Sequence, residues 1–128
     1  MSRLVIESMR SKGFGRIATI ESINGQAGQY GQVNYAAVKS GIHGFTKALA
    51  QEAAARGITV NAISTGYVAT KMVRAVPAEV LEKIVAKIPA GRLGDANDIA
   101  RGVLFLVADE AVFVTGSTLS INGGQHMY

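Results

Sequence analysis

A parallel α/β sheet flanked by helices is what this sequence predicts. Three observations carry the prediction. Short apolar runs at 15–20, 58–63 and 117–121 have strand length and lie between Gly, Asn and Ser turn residues. The stretches between them have helical periodicity, and strands joined by helical crossovers pair in parallel with right-handed connections. Hydrophobic residues make up 48% of the chain and charged ones only 17%, the balance of a folded protein. About three parallel strands are therefore expected, in a single domain over residues 1–128.

Residues 2–12 read as a helix. Leu4, Val5, Ile6 and Met9 are apolar, and Arg10 and Lys12 suit its last turn, where cations meet the negative end of the dipole. Gly13 terminates it. Gly15 to Ile20 is a short buried strand, and residues 23–33 form a loop with Gly-Gln doublets at 25–26, 28–29 and 31–32. A helix over 34–56 carries Val38, Ile42, Phe45, Leu49 and Ala53 at helical spacing. Ala36, Ala37, Ser40, Gly41, Gly44 and Ala48 keep the rest of its surface small. Mid-helix glycines cost roughly 1 kcal/mol each relative to alanine, and close packing against another helix offsets that cost. Gly57 ends the helix, and the second strand follows from Ile58 to Ile63.

Residues 64–70 form the next loop. Pro77 starts a short amphipathic helix over 78–87, which Ile88-Pro89 breaks. Asp95 caps a further helix, with Asp98 adding favourable negative charge in its first turn. That helix runs to about 108 with Ile99, Val103, Leu104 and Val107 turned inward. The last strand, 117–121, ends in the turn Asn122-Gly123-Gly124.

Composition excludes several functions. The chain has no cysteine and two histidines far apart in sequence, so no disulfide framework and no metal site are expected. The net charge of +4 is scattered, with no basic run interleaved with aromatics, which argues against nucleic acid as a partner. No apolar run approaches the roughly 18 residues of a membrane span. The start of the chain is too short and too charged for a secretory signal. The expected location is the cytoplasm.

The candidate chemistry lies between Ser22 and Lys39. Tyr35 and Lys39 are four residues apart, so on a helix they share one face. A cation beside a phenol favours the phenolate, which makes the phenol a usable proton donor. Ser22 follows the first strand, where a hydroxyl can steady a substrate carbonyl. Taken alone, a Tyr/Lys pair at this spacing is more often a solvated surface pair. The loop before it reads either as a flexible turn or as a cover over a reacting carbonyl, offering Gln29, Tyr30 and Gln32 to an acyl thioester.

The context is denser than the pair. The strand Gly15–Ile20, then Ser22, Tyr35 and Lys39, then Gly57-Ile58-Thr59-Val60-Asn61 and a closing Ile121-Asn122-Gly123-Gly124 follow in order. This set resembles the C-terminal half of the short-chain dehydrogenase/reductases over essentially all of the chain. Within that family it looks most like the acetoacetyl-CoA reductases and the 3-oxoacyl-ACP reductases. The resemblance implies that the three strands are the last of a larger Rossmann-like, doubly wound sheet, so that residues 1–128 form a single partial Rossmann-like domain. It implies Tyr35 as proton donor, Lys39 as its helper and ribose ligand, and Ser22 as the group orienting the carbonyl. Gly66, Val68 and Thr70 would lie along the nicotinamide and its carboxamide, with Tyr35 and Lys39 completing the cofactor contacts. Gln29, Tyr30, Gln32 and Tyr67 would meet the substrate, although Tyr67 reads equally well as a structural loop residue. NADPH is the implied cofactor and an acyl-CoA thioester the implied substrate. A homo-oligomer formed through helices 2–12 and 34–56 is the implied assembly.

The chain departs from the family pattern in consequential ways. A dinucleotide site needs a Gly-rich turn between a first strand and its helix, and no such turn occurs here; Gly13-x-Gly15 precedes a strand. The N-terminal strands of the family fold, and the family's catalytic asparagine, find no match. The strand at 15–20 would then present an unpaired edge, so self-association or a partner supplying the missing half is expected. Glu21 stands at a position usually small, although strand alternation points it away from Ser22. Thr65 replaces a usual proline, which is expected to loosen the cofactor loop, and Lys71 replaces a usual aspartate. Two functions are therefore carried forward. One is a reductase of 3-oxoacyl thioesters, truncated relative to the family and weak or inactive as this chain alone. The alternative is a non-enzymatic oligomerisation or interaction remnant of such a reductase.

Overall fold

The computed structural model describes residues 2–127. Its central strand, β2 (Ile58–Thr65), is buried along Ile58–Ser64, the pattern of a parallel strand covered on both faces. β1 (Gly15–Ser22) and β3 (Thr118–Ile121) pair with β2 in parallel, giving the order β1-β2-β3. Gly15 stands opposite Ile58, Ser22 opposite Thr65, and Ala62 opposite Thr118. α1 (Ser2–Lys12) precedes β1. The first crossover holds α2 (Asn24–Ala27) and α3 (Val33–Ala53); the second holds α4 (Lys71–Arg74), α5 (Ala78–Val85) and α6 (Ala96–Val107).

Successive strand side chains point to opposite faces, and that alternation sorts the layers. Ile58 and Val60 form one core with Ile6 of α1 and with Ala50 and Ala53 of α3. Thr19 faces the same way and meets Thr46 of α3 at 3.3 Å. Ile63, Leu119 and Ile121 face the other side, against Gly102 of α6. Helices on both faces of an open parallel sheet are the arrangement expected of a partial Rossmann-like, doubly wound α/β fold.

Several boundaries differ from the sequence reading. β1 runs to Ser22 rather than Ile20, because its last two residues still pair with Ser64 and Thr65. The Gly/Gln loop contains the short helix α2. α3 ends at Ala53 and tightens into a 3-10 turn, Ala54–Arg56, before Gly57 at φ +69°. That glycine is required twice: by the left-handed conformation and by the Gly13 carbonyl, which leaves no room for a Cβ. Helix α6 starts as expected, with Asp95 and Asp98 forming a reciprocal capping box. Its inward stripe is Ile99, Gly102, Val103 and Leu106, at i, i+3, i+4 and i+7. Leu104 falls outside that stripe and is 67% exposed, which corrects its inward assignment. On α3 likewise, Thr46, Ala50 and Ala53 are buried while Val38 and Phe45 face out.

Candidate functional site

Ligands of open parallel sheets bind beyond the carboxyl ends of the strands. β1 and β2 end together, Ser22 opposite Thr65, and a cavity of about 660 Å³ opens there. Ser22, Gln29, Gln32, Tyr35, Gly66, Tyr67, Val68 and Thr70 all line it, with Asn24, Met72, Val73 and Ile99 among the other walls.

Ser22 is placed by the end of β1, and its Oγ accepts the Asn24 N–H at 3.3 Å. The hydroxyl hydrogen is thereby left to donate outward. Tyr35 sits in the first turn of α3 and is 45% exposed, facing the cavity from the helix end. Lys39, one turn later, holds its Nζ 5.7 Å from the Tyr35 ring centroid and donates to the Ile20 carbonyl at 3.2 Å. The ammonium is thus anchored to β1 behind the phenol rather than on the cavity wall. Tyr30 is placed elsewhere. It is fully exposed and does not line the cavity, because Gly28 and Gly31, both at positive φ, turn the chain outward around it. Tyr30 thus stands apart from the other residues assigned to the substrate.

The 65–70 segment is tightly tied. Thr65 Oγ1 donates to the Glu21 carbonyl at 3.1 Å, and the Ile23 N–H donates to the Thr65 carbonyl at 3.0 Å. Thr65 therefore fastens β2 to the end of β1, which overturns the expected loosening. Gly66 donates to the Ile121 carbonyl, and a Cβ there would run into Asn122 and Gln125. The Gln125 carboxamide accepts the Tyr67 N–H at 3.0 Å. Val68 bridges to Gly94 through the Gly94 N–H to Tyr67 carbonyl and Ala69 N–H to Gly94 carbonyl bonds, both 2.9 Å. The Val68 N–H itself meets no acceptor among the described residues. Thr70 Oγ1 caps α4 by accepting the Val73 N–H at 3.3 Å. A threonine before a short helical run was the available signal for that helix.

Behind the site, Glu21 points away from Ser22, as alternation requires, and its side chain is fully buried. Oε2 lies 3.0 Å from His43 Nε2, and His43 Nδ1 lies 3.1 Å from Thr118 Oγ1. The approach to Nε2 lacks hydrogen-bond alignment, and Glu21 Oε1 has no partner among the described residues. Burial pushes the Glu21 carboxyl up to about 7, with Lys39 pulling the other way. Burial, aided by Lys47, holds His43 below the ordinary histidine range. The sequence reading missed two residues here. His43 became relevant only when α3 was laid on the sheet. Asn24 donates from Nδ2 to Gln29 Oε1 at 2.5 Å and to Gln32 Oε1 at 3.0 Å, and nothing in its sequence context marked it. Among the described residues no group of three or more metal-ligating side chains gathers, and no helix is long and apolar enough to cross a membrane.

A serine at the end of one strand, and a tyrosine and lysine one turn apart on the following helix, are the features on which the sequence resembles the short-chain dehydrogenase/reductases. The family model described as enoyl-(acyl carrier protein) reductase matches residues 1–126, and the chain belongs to this family of the short-chain dehydrogenase/reductases. It is 62% identical over 126 residues to an acetoacetyl-CoA reductase of Shinella zoogloeoides, covering 98% of this chain and 52% of that protein. It is 61% identical over 127 residues to an acetoacetyl-CoA reductase of Rhizobium meliloti (strain 1021), covering 98% and 53%. It is 50% identical over 127 residues to the 3-oxoacyl-(acyl-carrier-protein) reductase FabG of Escherichia coli (strain K12), covering 99% and 52%. The chain spans about half the length of the curated relatives it matches.

Proposed function

We propose that this chain carries the carbonyl-orienting and proton-donating half of an NADPH-dependent reductase of 3-oxoacyl thioesters, of the acetoacetyl-CoA type. The observation that carries the reading is the convergence of Ser22 and Tyr35 on one cavity, with Lys39 behind the phenol and Gln29 and Gln32 along the rim. When bound, the nicotinamide cofactor supplies a hydride to the ketone carbon. Ser22 donates its hydroxyl hydrogen to the ketone oxygen and orients it. Tyr35 passes its phenolic proton to that oxygen as negative charge develops there, and the Lys39 ammonium favours the phenolate left behind.

The residues present fit the nicotinamide end of the cofactor. Val68 offers an unpaired N–H to a carboxamide oxygen, Gly66 presents bare backbone, and Thr70 keeps a hydroxyl hydrogen. The phosphate end needs a Gly-rich turn that no strand–helix junction among the described residues provides. The choice of NADPH over NADH, the cytoplasmic setting and the CoA thioester follow the family resemblance. Assembly through α1 and α3, or with a partner supplying further strands, belongs to the same proposal. A second reading, an association module without turnover, is favoured by the outward-facing Val38 and Phe45.

The test is NADPH oxidation by the purified chain with acetoacetyl-CoA, beside Tyr35→Phe. Slow turnover, lost in Tyr35→Phe, is the result that supports the reductase reading. A rate equal in the two proteins overturns stand-alone catalysis by Tyr35 and favours the association module.

A further inference from the structure

We infer that Glu21 is a positioning residue for Lys39: the proton on its buried carboxyl decides whether the Lys39 ammonium stays behind the Tyr35 phenol or turns to the carboxylate. The inference rests on the reading of Lys39 as the cation that serves Tyr35, and it adds a third residue to that pair.

The backbone at Glu21 is held from both sides. The preceding carbonyl, of Ile20, accepts Lys39 Nζ at 3.2 Å, and the Glu21 carbonyl accepts Thr65 Oγ1 at 3.1 Å. The Glu21 side chain is fully buried, with Oε2 3.0 Å from His43 Nε2. Lys39 and His43 are four residues apart on α3 and so share one helix face, the face that meets β1. Both ring nitrogens of His43 meet oxygens, Glu21 Oε2 and Thr118 Oγ1, which fixes the orientation of the ring. The carboxyl and the ammonium thus reach neighbouring peptides of the same strand.

The two protonation states of Glu21 make different demands on Lys39. A neutral carboxyl leaves the ammonium on the Ile20 carbonyl, 5.7 Å from the Tyr35 ring centroid. An ionised carboxyl is a buried charge, and its Oε1 has no partner among the described residues. Burial, aided by Lys47, holds His43 below the ordinary histidine range, so the ring stays neutral and does not balance that charge. β2 places Ser64 opposite Glu21, 2.8 Å from the Gln26 carboxamide of α2, and β3 brings Thr118 to the far side of His43; none of these is charged. Lys39 is the cation that acts on the carboxyl.

A buried charge without a partner is strongly destabilising, and lysine carries a point charge on a flexible stem. The ammonium is therefore drawn from the phenol to the carboxylate once Glu21 ionises. Burial pushes the carboxyl up to about 7, which brings the change to neutral pH.

The test uses the purified chain without substrate or cofactor and follows the NMR signals of the Glu21 carboxyl carbon, the Lys39 methylene beside Nζ and the His43 ring as pH is raised. The methylene senses the ring current of Tyr35. It is expected to lose that shift in one step with the same midpoint as the Glu21 carboxyl. In Glu21→Gln the step is expected to vanish, with the ring-current shift kept throughout. Coupling between two sites is reciprocal, so in Lys39→Met the Glu21 midpoint is expected at higher pH. A Lys39 signal that stays constant, follows the His43 ring instead or still steps in Glu21→Gln overturns the inference. So does an unchanged Glu21 midpoint in Lys39→Met, a reading that stands even if Glu21→Gln does not fold. Turnover enters none of these readouts. A chain that shows the step but no NADPH oxidation overturns the reductase reading and leaves the positioning of Lys39 standing; turnover without the step does the reverse.

Discussion

Glu21 and Ser22 are neighbours in sequence with opposite fates, and the pleat of one strand explains both. Ser22 faces the cavity; Glu21 is buried against α3, close to His43. The carboxyl titrates near 7 in the folded chain, above the 4.5 of an ordinary glutamate. A folded-state value raised in this way means that the folded chain binds more protons between those two pH values. Its stabilising effect is therefore complete below about 4.5 and lost as pH rises through 7. His43, lowered from 6.5, acts in the opposite sense: stability falls as pH drops below that value. We predict that Glu21→Gln melts at a higher temperature than wild type at pH 8, by about 2 kcal/mol in stability, with the difference shrinking toward pH 5. Thermal unfolding across that range checks it; a wild-type advantage at pH 8 would contradict it. Alternation made the direction of Glu21 legible in the sequence. Its partner was not legible, because His43, itself held by Thr118, reaches it only through tertiary packing.

At the scale of elements, periodicity located every long helix and strand and erred on which residues face inward. Leu104 is as apolar as Leu106, but the stripe through Ile99, Gly102 and Val103 continues at Leu106. Gly102 is the constraint: with no side chain it lets α6 approach Ile121, Leu119 and Ile63. Gly102→Val is expected to cost about 1–3 kcal/mol by overpacking that contact, because a branched side chain meets Leu119 and Ile63 as well as the movable end of Ile121. Leu104→Ala, at an exposed position, is expected to change stability by under about 0.5 kcal/mol. Urea unfolding of the pair would show it, and equal losses would contradict the packing assigned to α6. The short helices α2 and α4 were hidden for a different reason. Four residues carry no periodic signal, and their stability comes from contacts with α3 and from the Thr70 cap.

At the scale of the molecule, the parallel order followed from the crossovers, and the site followed from where two strands end. What the sequence could not show is how much apolar surface stays open. Val38 and Phe45, seven residues apart and so on one helix face, are 69% and 42% exposed, with Gly41 between them. β1 pairs only with β2, leaving its other edge without a strand among the described residues. The expected outcome is self-association, weakened by Val38→Lys with Phe45→Lys and measured by sedimentation. A wild-type monomer at high concentration would remove α3 as an interface.

The central proposal is that the acyl and proton-donor site lies among the described residues while the cofactor's phosphate cradle does not. The most direct measurement is an amide NMR titration of the purified chain with acetoacetyl-CoA and, separately, with NADPH. The account predicts that acetoacetyl-CoA moves signals from Ser22, Asn24, Gln29, Gln32, Tyr35 and Tyr67, and that NADPH at the same concentrations moves few or none. Tight NADPH binding, or acetoacetyl-CoA shifts lying outside the cavity, would contradict it.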